Sequence, residues 1–374
     1  MQSQMDQKKF LGFYKNTVLA YSNSFKKHIC RLLEEANVIT FDKQSCLMDR
    51  IETLYFESKK DFKTIISLTT TDANFSWFYE YCEFRKLYKY SVPLFFEFGG
   101  DITDKEQLFE VLEEKLKGFN KKDFKPEYAL GTKLGDTSPV YMIENDNVFI
   151  KFVLQKSYIT QEDFERIDYR YPIVVYIDFE KGFLEIRYDA VKFSGTVESE
   201  YYNKIVDSCI DWLKEELGFE LFTCEHDEIV RIVNDKKNNE VKMYKQMMDL
   251  KTGAAAELKA SESDDYVLPF IGEIRELIEE NADLFDQAEE AKNLLLQYLT
   301  DQEATANYPY IYIKRCKPVE SDTFVVKITF DYLSHKYTLL QHLTGTCKDF
   351  GMRRMNDVIE YLLTSGCFIK GEKI

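Results

Sequence analysis

Large apolar residues recur at Phe10, Tyr14, Val18, Tyr21, Phe25, Ile29 and Leu32. Their steps of three and four keep one helical face apolar and predict one long amphipathic helix. Leu11, Leu19 and Leu33 widen the stripe beyond a coiled-coil seam, so the helix is expected to pack within its own domain, with a dimer seam as the alternative. A second helix is expected over Gln44 to Phe56. From Asp72 to Tyr90 the chain carries Phe75, Trp77, Phe78, Tyr79, Tyr81, Phe84, Tyr88 and Tyr90, which reads as a helix wedged among neighbours, its rings serving as core rather than as base-stacking platforms.

Val92 to Phe98 then reads as a strand ended by Gly99-Gly100, and Thr103-Asp104-Lys105-Glu106 has the capping-box spacing that opens a helix to about Phe119. Two hairpins follow. Val140 to Ile143 and Val148 to Leu154 flank Glu144-Asn145-Asp146-Asn147, whose short polar side chains tolerate positive φ. Pro172 to Glu180 and Phe183 to Ala190 flank Lys181-Gly182. A two-residue turn there pairs Phe179 with Leu184, Ile177 with Ile186 and Val175 with Tyr188, and separates an apolar face from a polar one.

A helix from about Glu198 turns Tyr202, Ile205, Cys209, Trp212, Leu213 and Leu217 inward and stops at Gly218. Charged stretches at 235–240 and 261–265 mark a boundary region, with a Met-containing helix expected between them. Beyond it come a Glu- and Leu-rich helix from about Gly272 to Leu299, strands at Tyr310 to Cys316 and Thr323 to Phe330, and a helix from about Gly351 to Thr364. The expected fold class is α+β. It comprises a helical N-terminal region (1–90), a central mixed α/β block with antiparallel hairpins (91–235), a boundary region (236–270) and a C-terminal α+β unit (271–374) with a winged-helix-like end.

A chain of 374 residues can bury two or three cores, and 15% aromatic residues supply the material for them. The formal charge of −16 repels phosphate polyanions and anionic lipid, so a membrane-surface binder is disfavoured and nucleic acid could be held only through a local basic patch. The eight cysteines include no CxxC pair and read as core residues kept reduced. Met1 to Lys9 is polar, and no run reaches about 18 apolar residues, so a cytoplasmic location is expected. Neither GxxxxGK[ST] nor GxGxxG occurs. The bias toward Lys, Asn, Ile, Tyr and Phe suggests a bacterial antiviral-defence or mobile-element protein.

Three places could hold chemistry. In the hairpin register above, Asp178 lies across from Glu185 and Tyr176 across from Arg187, so two carboxylates and a guanidinium share one face. Facing carboxylates repel unless water or a divalent cation lies between them, and magnesium favours such ligands. The arrangement resembles the PD-(D/E)xK nuclease core over Asp178 and Glu185-Ile186-Arg187, with Arg187 in the place of that family's lysine. The resemblance implies that Asp178 and Glu185 ligate magnesium and that Arg187 stabilises phosphate charge. The plainer reading of the same residues is a solvated sheet face.

Cys224-Glu225-His226-Asp227-Glu228 concentrates ionisable groups and reads as a charged loop. Four histidines, among them His28, His335 and His342, form no metal-binding pattern. Arg353 and Arg354 open the C-terminal helix, where positive charge opposes the macrodipole and could serve an anion such as a DNA phosphate. No spacing commits to a catalytic mechanism. The leading expectation is therefore a non-enzymatic protein that binds a protein partner or a second copy of itself, with a magnesium nuclease and a DNA-binding protein as alternatives.

Overall fold

The computed structural model describes residues 6–374 apart from 44–52, 101, 121–123, 127–129, 161, 163, 192–199, 235–239, 250–254, 260–270, 306, 316–322, 333–336 and 344–349. The chain is an α+β protein that divides into two compact units: 1–222 with 350–352 and 373–374, and 223–349 with 353–372.

The first unit opens with α1 (Gln7–Leu19) and α2 (Asn23–Glu35). The single long helix expected here is therefore broken at Ala20-Tyr21-Ser22. Ser22 adopts extended backbone and its hydroxyl accepts a hydrogen bond from the Phe25 amide, so a cap interrupts an otherwise continuous apolar stripe. The stripe still packs inward, with Phe10, Tyr14, Val18, Ile29 and Leu33 buried in one cluster with Ile65, Ile66, Phe78 and Tyr79. Of the helix expected over Gln44 to Phe56, residues 44–52 lie outside the described residues. Leu54–Tyr55 is instead a strand, β2, parallel to β1 (Ile39–Thr40).

Next come α3 (Phe62–Thr70) and α4 (Ser76–Arg85), whose Phe78, Tyr79 and Phe84 are buried. The ring-rich helix thus forms, and its continuation toward Tyr90 becomes the start of a strand. That strand is β3 (Tyr90–Phe98). Asp104 caps α5 (Lys105–Lys115) by accepting from the Gln107 amide, and Thr103 N donates to Gln107 Oε1, so the reciprocal cap sits one residue later than the spacing suggested. The helix ends at Lys115, short of Phe119, because Lys117–Gly118 pairs as β4.

β5 (Val140–Glu144) and β6 (Asn147–Ile159) form the expected hairpin, with Asn145 and Asp146 at φ of 51° and 64°. β7 (Arg166–Asp178) and β8 (Phe183–Tyr188) form the next one. Within this unit the strand order is β3-β8-β7-β6-β5-β4. α6 (Tyr201–Leu217) follows, with Ile205, Cys209, Leu213 and Leu217 buried. It stops at Gly218, whose φ of 64° is left-handed and whose missing side chain lets Gly99 O approach. Phe219–Phe222, the start of β9 (Phe219–Glu225), pairs with Phe95–Phe98.

The second unit holds the short helix α7 (Ile229–Asn234) and an antiparallel sheet of order β11-β10-β12-β13-β14. These strands are β10 (Val241–Asp249), β11 (Ala255–Lys259), β12 (Asn307–Arg315), β13 (Phe324–Thr329) and β14 (Leu339–Leu343). The Met-containing helix expected in the boundary region is thus a strand, in which Val241, Met243, Gln246 and Met248 are buried and two register shifts absorb the irregular spacing. The Glu- and Leu-rich segment is three helices, α8 (Ile271–Glu280), α9 (Ala282–Phe285) and α10 (Glu289–Thr305). It bends at Asn281, whose Nδ2 donates to Leu277 O. The C-terminal helix α11 (Arg353–Thr364) is followed by β15 (Ile369–Lys373), where Thr223 Oγ1 accepts from the Glu372 amide at 3.1 Å.

Candidate functional site

The observed register of the β7–β8 hairpin differs from the expected one by two residues. Tyr176 pairs with Glu185, Val174 with Arg187 and Asp178 with Phe183. The loop has four residues, Phe179 to Gly182, with Gly182 at φ 59°, in place of the two-residue turn at Lys181-Gly182. An even shift preserves the face of every side chain, so Asp178, Glu185 and Arg187 do lie on one side of the sheet. It separates the two carboxylates, however, and the facing pair required by the nuclease resemblance is not formed.

Nor is that face solvated. Glu185 and Arg187 are each 0% exposed and Asp178 is 6% exposed. Arg187 donates through Nε to Glu185 Oε2 at 3.1 Å and through a terminal nitrogen to the same oxygen, and its guanidinium lies 4.3 Å above the Tyr176 ring. Burial pushes the Tyr176 hydroxyl up to about 12, against the opposing pull of Arg187. Asp178 Oδ2 accepts from Lys181 Nζ at 3.0 Å, and its Oδ1 accepts from the Lys181 amide. Glu185 Oε1 is buried and has no hydrogen-bond partner among the described residues.

The same register extends this charged face across β6. Gln155 lies opposite Arg170, Lys151 opposite Val174 and Phe149 opposite Tyr176, so Lys151 and Arg170 share the side of Glu185 and Arg187. The other side is apolar: Ile150, Phe152, Ile173, Val175, Ile177, Leu184 and Ile186 are all 0% exposed. Phe152 meets Trp212 of α6 edge-on at 5.0 Å there.

Helices cover the charged side. Thr17 of α1 accepts from the Arg170 amide and Asn16 Nδ2 donates to Asp168 O. From α4, Glu80 and Glu83 enter three residues apart and therefore on one helical face. Arg170 donates to Glu80 Oε1 at 2.7 Å and to both oxygens of Glu83 at 3.0 and 2.8 Å. Lys151 Nζ donates to Glu83 Oε2 at 2.9 Å, to Glu80 O at 3.2 Å and to Glu80 Oε2. The Tyr14 hydroxyl donates to Glu80 Oε1, and its ring lies 4.1 Å from the Arg170 guanidinium.

Two carboxylates and two cations make this cluster neutral, with each charged group held by at least two hydrogen bonds, as a buried set needs to be. Burial alone would raise the Glu83 carboxyl, but Arg170 and then Lys151 outweigh it and hold Glu83 well below the usual carboxylate range. Burial likewise pushes the Tyr14 hydroxyl well up. A cavity lined partly by Glu80, Arg170, Phe10 and Lys117 encloses about 50 Å³, room for a few waters and far below the volume of a metabolite site. Nothing in the sequence reading singled out Glu80, Glu83, Lys151 or Arg170. The signal for them was a cation inside each of two strongly apolar strands, matched by two acids inside the ring-rich helix.

The other sequence candidates also have structural partners. Arg354 is 4% exposed and donates to Thr323 O and Leu343 O at 3.1 Å each, so it anchors α11 instead of facing an anion. Arg353 is exposed and lies 3.9 Å from Asp357, one turn on. Cys224 is buried, while His226 stacks on Phe330 at 4.2 Å and its Nδ1 lies 3.1 Å from Cys224 O, so the imidazole is engaged by a ring and a backbone carbonyl. Burial lowers the His226 pKa below its usual value. His28 stacks against Phe25 and His342 is buried, whereas His335 lies outside the described residues.

Among the described residues, no group of three or more His, Cys, Asp or Glu side chains is placed to hold a metal ion, and no helix is long and apolar enough to cross a membrane. Cys30, Cys82, Cys209, Cys224 and Cys367 are not joined in disulfides. No family model, curated protein or solved structure matches the chain.

Proposed function

We propose that this chain is a cytoplasmic binding or regulatory protein that works as part of a larger assembly and does no chemistry at the β7–β8 hairpin. The observation that carries this reading is the burial of Glu185 and Arg187 at 0% exposure, paired to each other. A phosphodiester cannot reach a carboxylate that solvent does not touch, and a buried guanidinium committed to a neighbouring acid is not free to stabilise phosphate charge. The burial of Arg354 argues in the same direction against a DNA-reading helix, because it removes one of the two cations that would have met phosphate.

The test is cleavage of single- and double-stranded DNA and RNA in magnesium by the wild type, Asp178→Asn and Glu185→Gln. These isosteric changes keep the side-chain shape, and circular dichroism of each variant checks that the fold survives the loss of the buried charge. The expected result is no cleavage above a protein-free blank from any of the three. Metal-dependent cleavage by the wild type that disappears in both variants would establish the nuclease reading instead.

A further inference from the structure

The net charge of about one tenth of the chain equals half that of the whole. Residues 271–305 carry ten acidic side chains against two basic ones, a net charge of −8 out of −16 for the whole chain. This is the α8–α9–α10 segment. One side of it is anchored: Ile278 and Leu299 are 2% and 1% exposed, and Leu299 and Ile274 join a small core with Met248, Leu258 and Tyr308. Large apolar side chains of the same segment are nonetheless open to solvent. Leu277, Leu284 and Leu294 are 54%, 66% and 70% exposed, and Tyr298 is 52% exposed.

Leu294 and Tyr298 are one helical turn apart and so lie on the same face of α10. The same segment carries exposed acids, among them Glu276, Glu280, Asp283, Glu289 and Glu290, of which Glu290 lies one helical turn before Leu294. Leu294 lies five residues before buried Leu299 and so well round the helix from it, and exposed apolar side chains away from the anchored face add nothing to the helix's own core and cost solubility unless a partner covers them.

We propose that the α8–α10 segment is a docking surface for a basic amphipathic helix, whose leucine-like side chains cover Leu294 and Tyr298 while its Lys and Arg residues meet the acidic rim. Deepening the reading given above, this inference rests on that reading. Charge decides between occupants. A second copy of the chain would bring another segment of −8 against the first, and an anionic surface would be repelled in the same way, whereas a cationic helix is drawn in. Helix-on-helix docking through such a stripe needs only a few apolar anchors, with the rim setting approach rate and partner choice.

The experiment titrates the full chain into a fluorescent Lys/Leu peptide of roughly 18 residues, with Leu at helical spacing. Anisotropy is the readout, and a permuted peptide of the same composition is the control. The proposal expects saturable binding of the amphipathic peptide, weakened about tenfold or more by Leu294→Ser with Tyr298→Ser. Binding should also fall as salt is raised to about 0.5 M, and it should be unaffected by Phe164→Ser, which removes an exposed ring of the first unit. Thermal melts of the variants check that these surface changes leave the fold intact.

Absence of saturable binding, equal binding of the permuted peptide, or an unchanged affinity in the double variant would each overturn the assignment. So would sedimentation showing a dimer that the double variant converts to monomer, because the face would then belong to a second copy. Cleavage lost in Asp178→Asn and Glu185→Gln would sink the parent reading whatever the peptide does. Failed peptide binding without cleavage would remove this surface alone.

Discussion

Lys151→Met removes one of the two cations from the Glu80–Glu83–Lys151–Arg170 cluster while keeping most of the apolar stem of the side chain. Lys151 is 0% exposed and its ammonium donates to both acids, so the variant leaves two buried carboxylates facing a single guanidinium. Breaking a buried ion pair from one side costs about 3–5 kcal/mol, because the orphaned charge keeps its desolvation penalty and loses its partner. In a unit of this size that corresponds to a fall in Tm of roughly 6–20 °C. Urea unfolding followed by tryptophan fluorescence is the assay, since both tryptophans, Trp77 and Trp212, belong to the first unit. Adding Glu83→Gln to Lys151→Met restores neutrality and should recover at least about half of the loss. A single variant within about 1 kcal/mol of wild type, with an unchanged m-value, would refute a buried and interdependent cluster.

The Glu83 carboxyl is held below its ordinary value of 4.5, so its contribution to stability is complete above that pH and is lost as the pH falls through its lower folded-state value. Acid titration of unfolding should show this loss in the wild type and a reduced one in Glu83→Gln. His226 has a pKa lowered by burial, so the second unit should lose stability as the pH drops below about 6.5, and His226→Phe should flatten that slope. Arg354→Met should cost about 2–3 kcal/mol by leaving two carbonyls without their donor, whereas Arg353→Ala should stay within about 0.5 kcal/mol; thermal melts distinguish them. Gly218→Ala forces a side chain into left-handed backbone, with its Cβ 2.8 Å from Gly99 O, and should cost about 1–3 kcal/mol in the same measurement.

Much of the fold was legible because local chemistry and long-range packing agree there. The Asn145-Asp146 turn, the stop at Gly218 and the strands on either side of them follow from positive-φ preference and apolar runs. Where the two conflict, pattern alone misleads. The stripe from Phe10 to Leu32 is continuous, yet Ser22 breaks it with a cap. The Met-containing stretch 241–249 is expected to be helical, yet it pairs with β12 through two register shifts.

The candidate site was half legible. Period-two alternation put Asp178, Glu185 and Arg187 on one face, and parity survives a two-residue slip. What alternation cannot say is whether the polar face meets water. Here it is buried, and along it the acids that neutralise Lys151 and Arg170 arrive on α4, about seventy residues or more away in sequence. Polar residues in a strand marked the interior of this sheet as well as its rim would have been marked.

The central claim is that the acids of the β7–β8 hairpin are interior ion-pair partners, and thermal unfolding in rising magnesium tests it most directly. A cation held by the folded state alone would raise Tm, by an amount equivalent to about 2.7 kcal/mol at a hundredfold excess over its dissociation constant. The structure predicts no rise for the wild type, Asp178→Asn or Glu185→Gln beyond a common effect of ionic strength. A magnesium-specific rise in the wild type that both variants lose would contradict it.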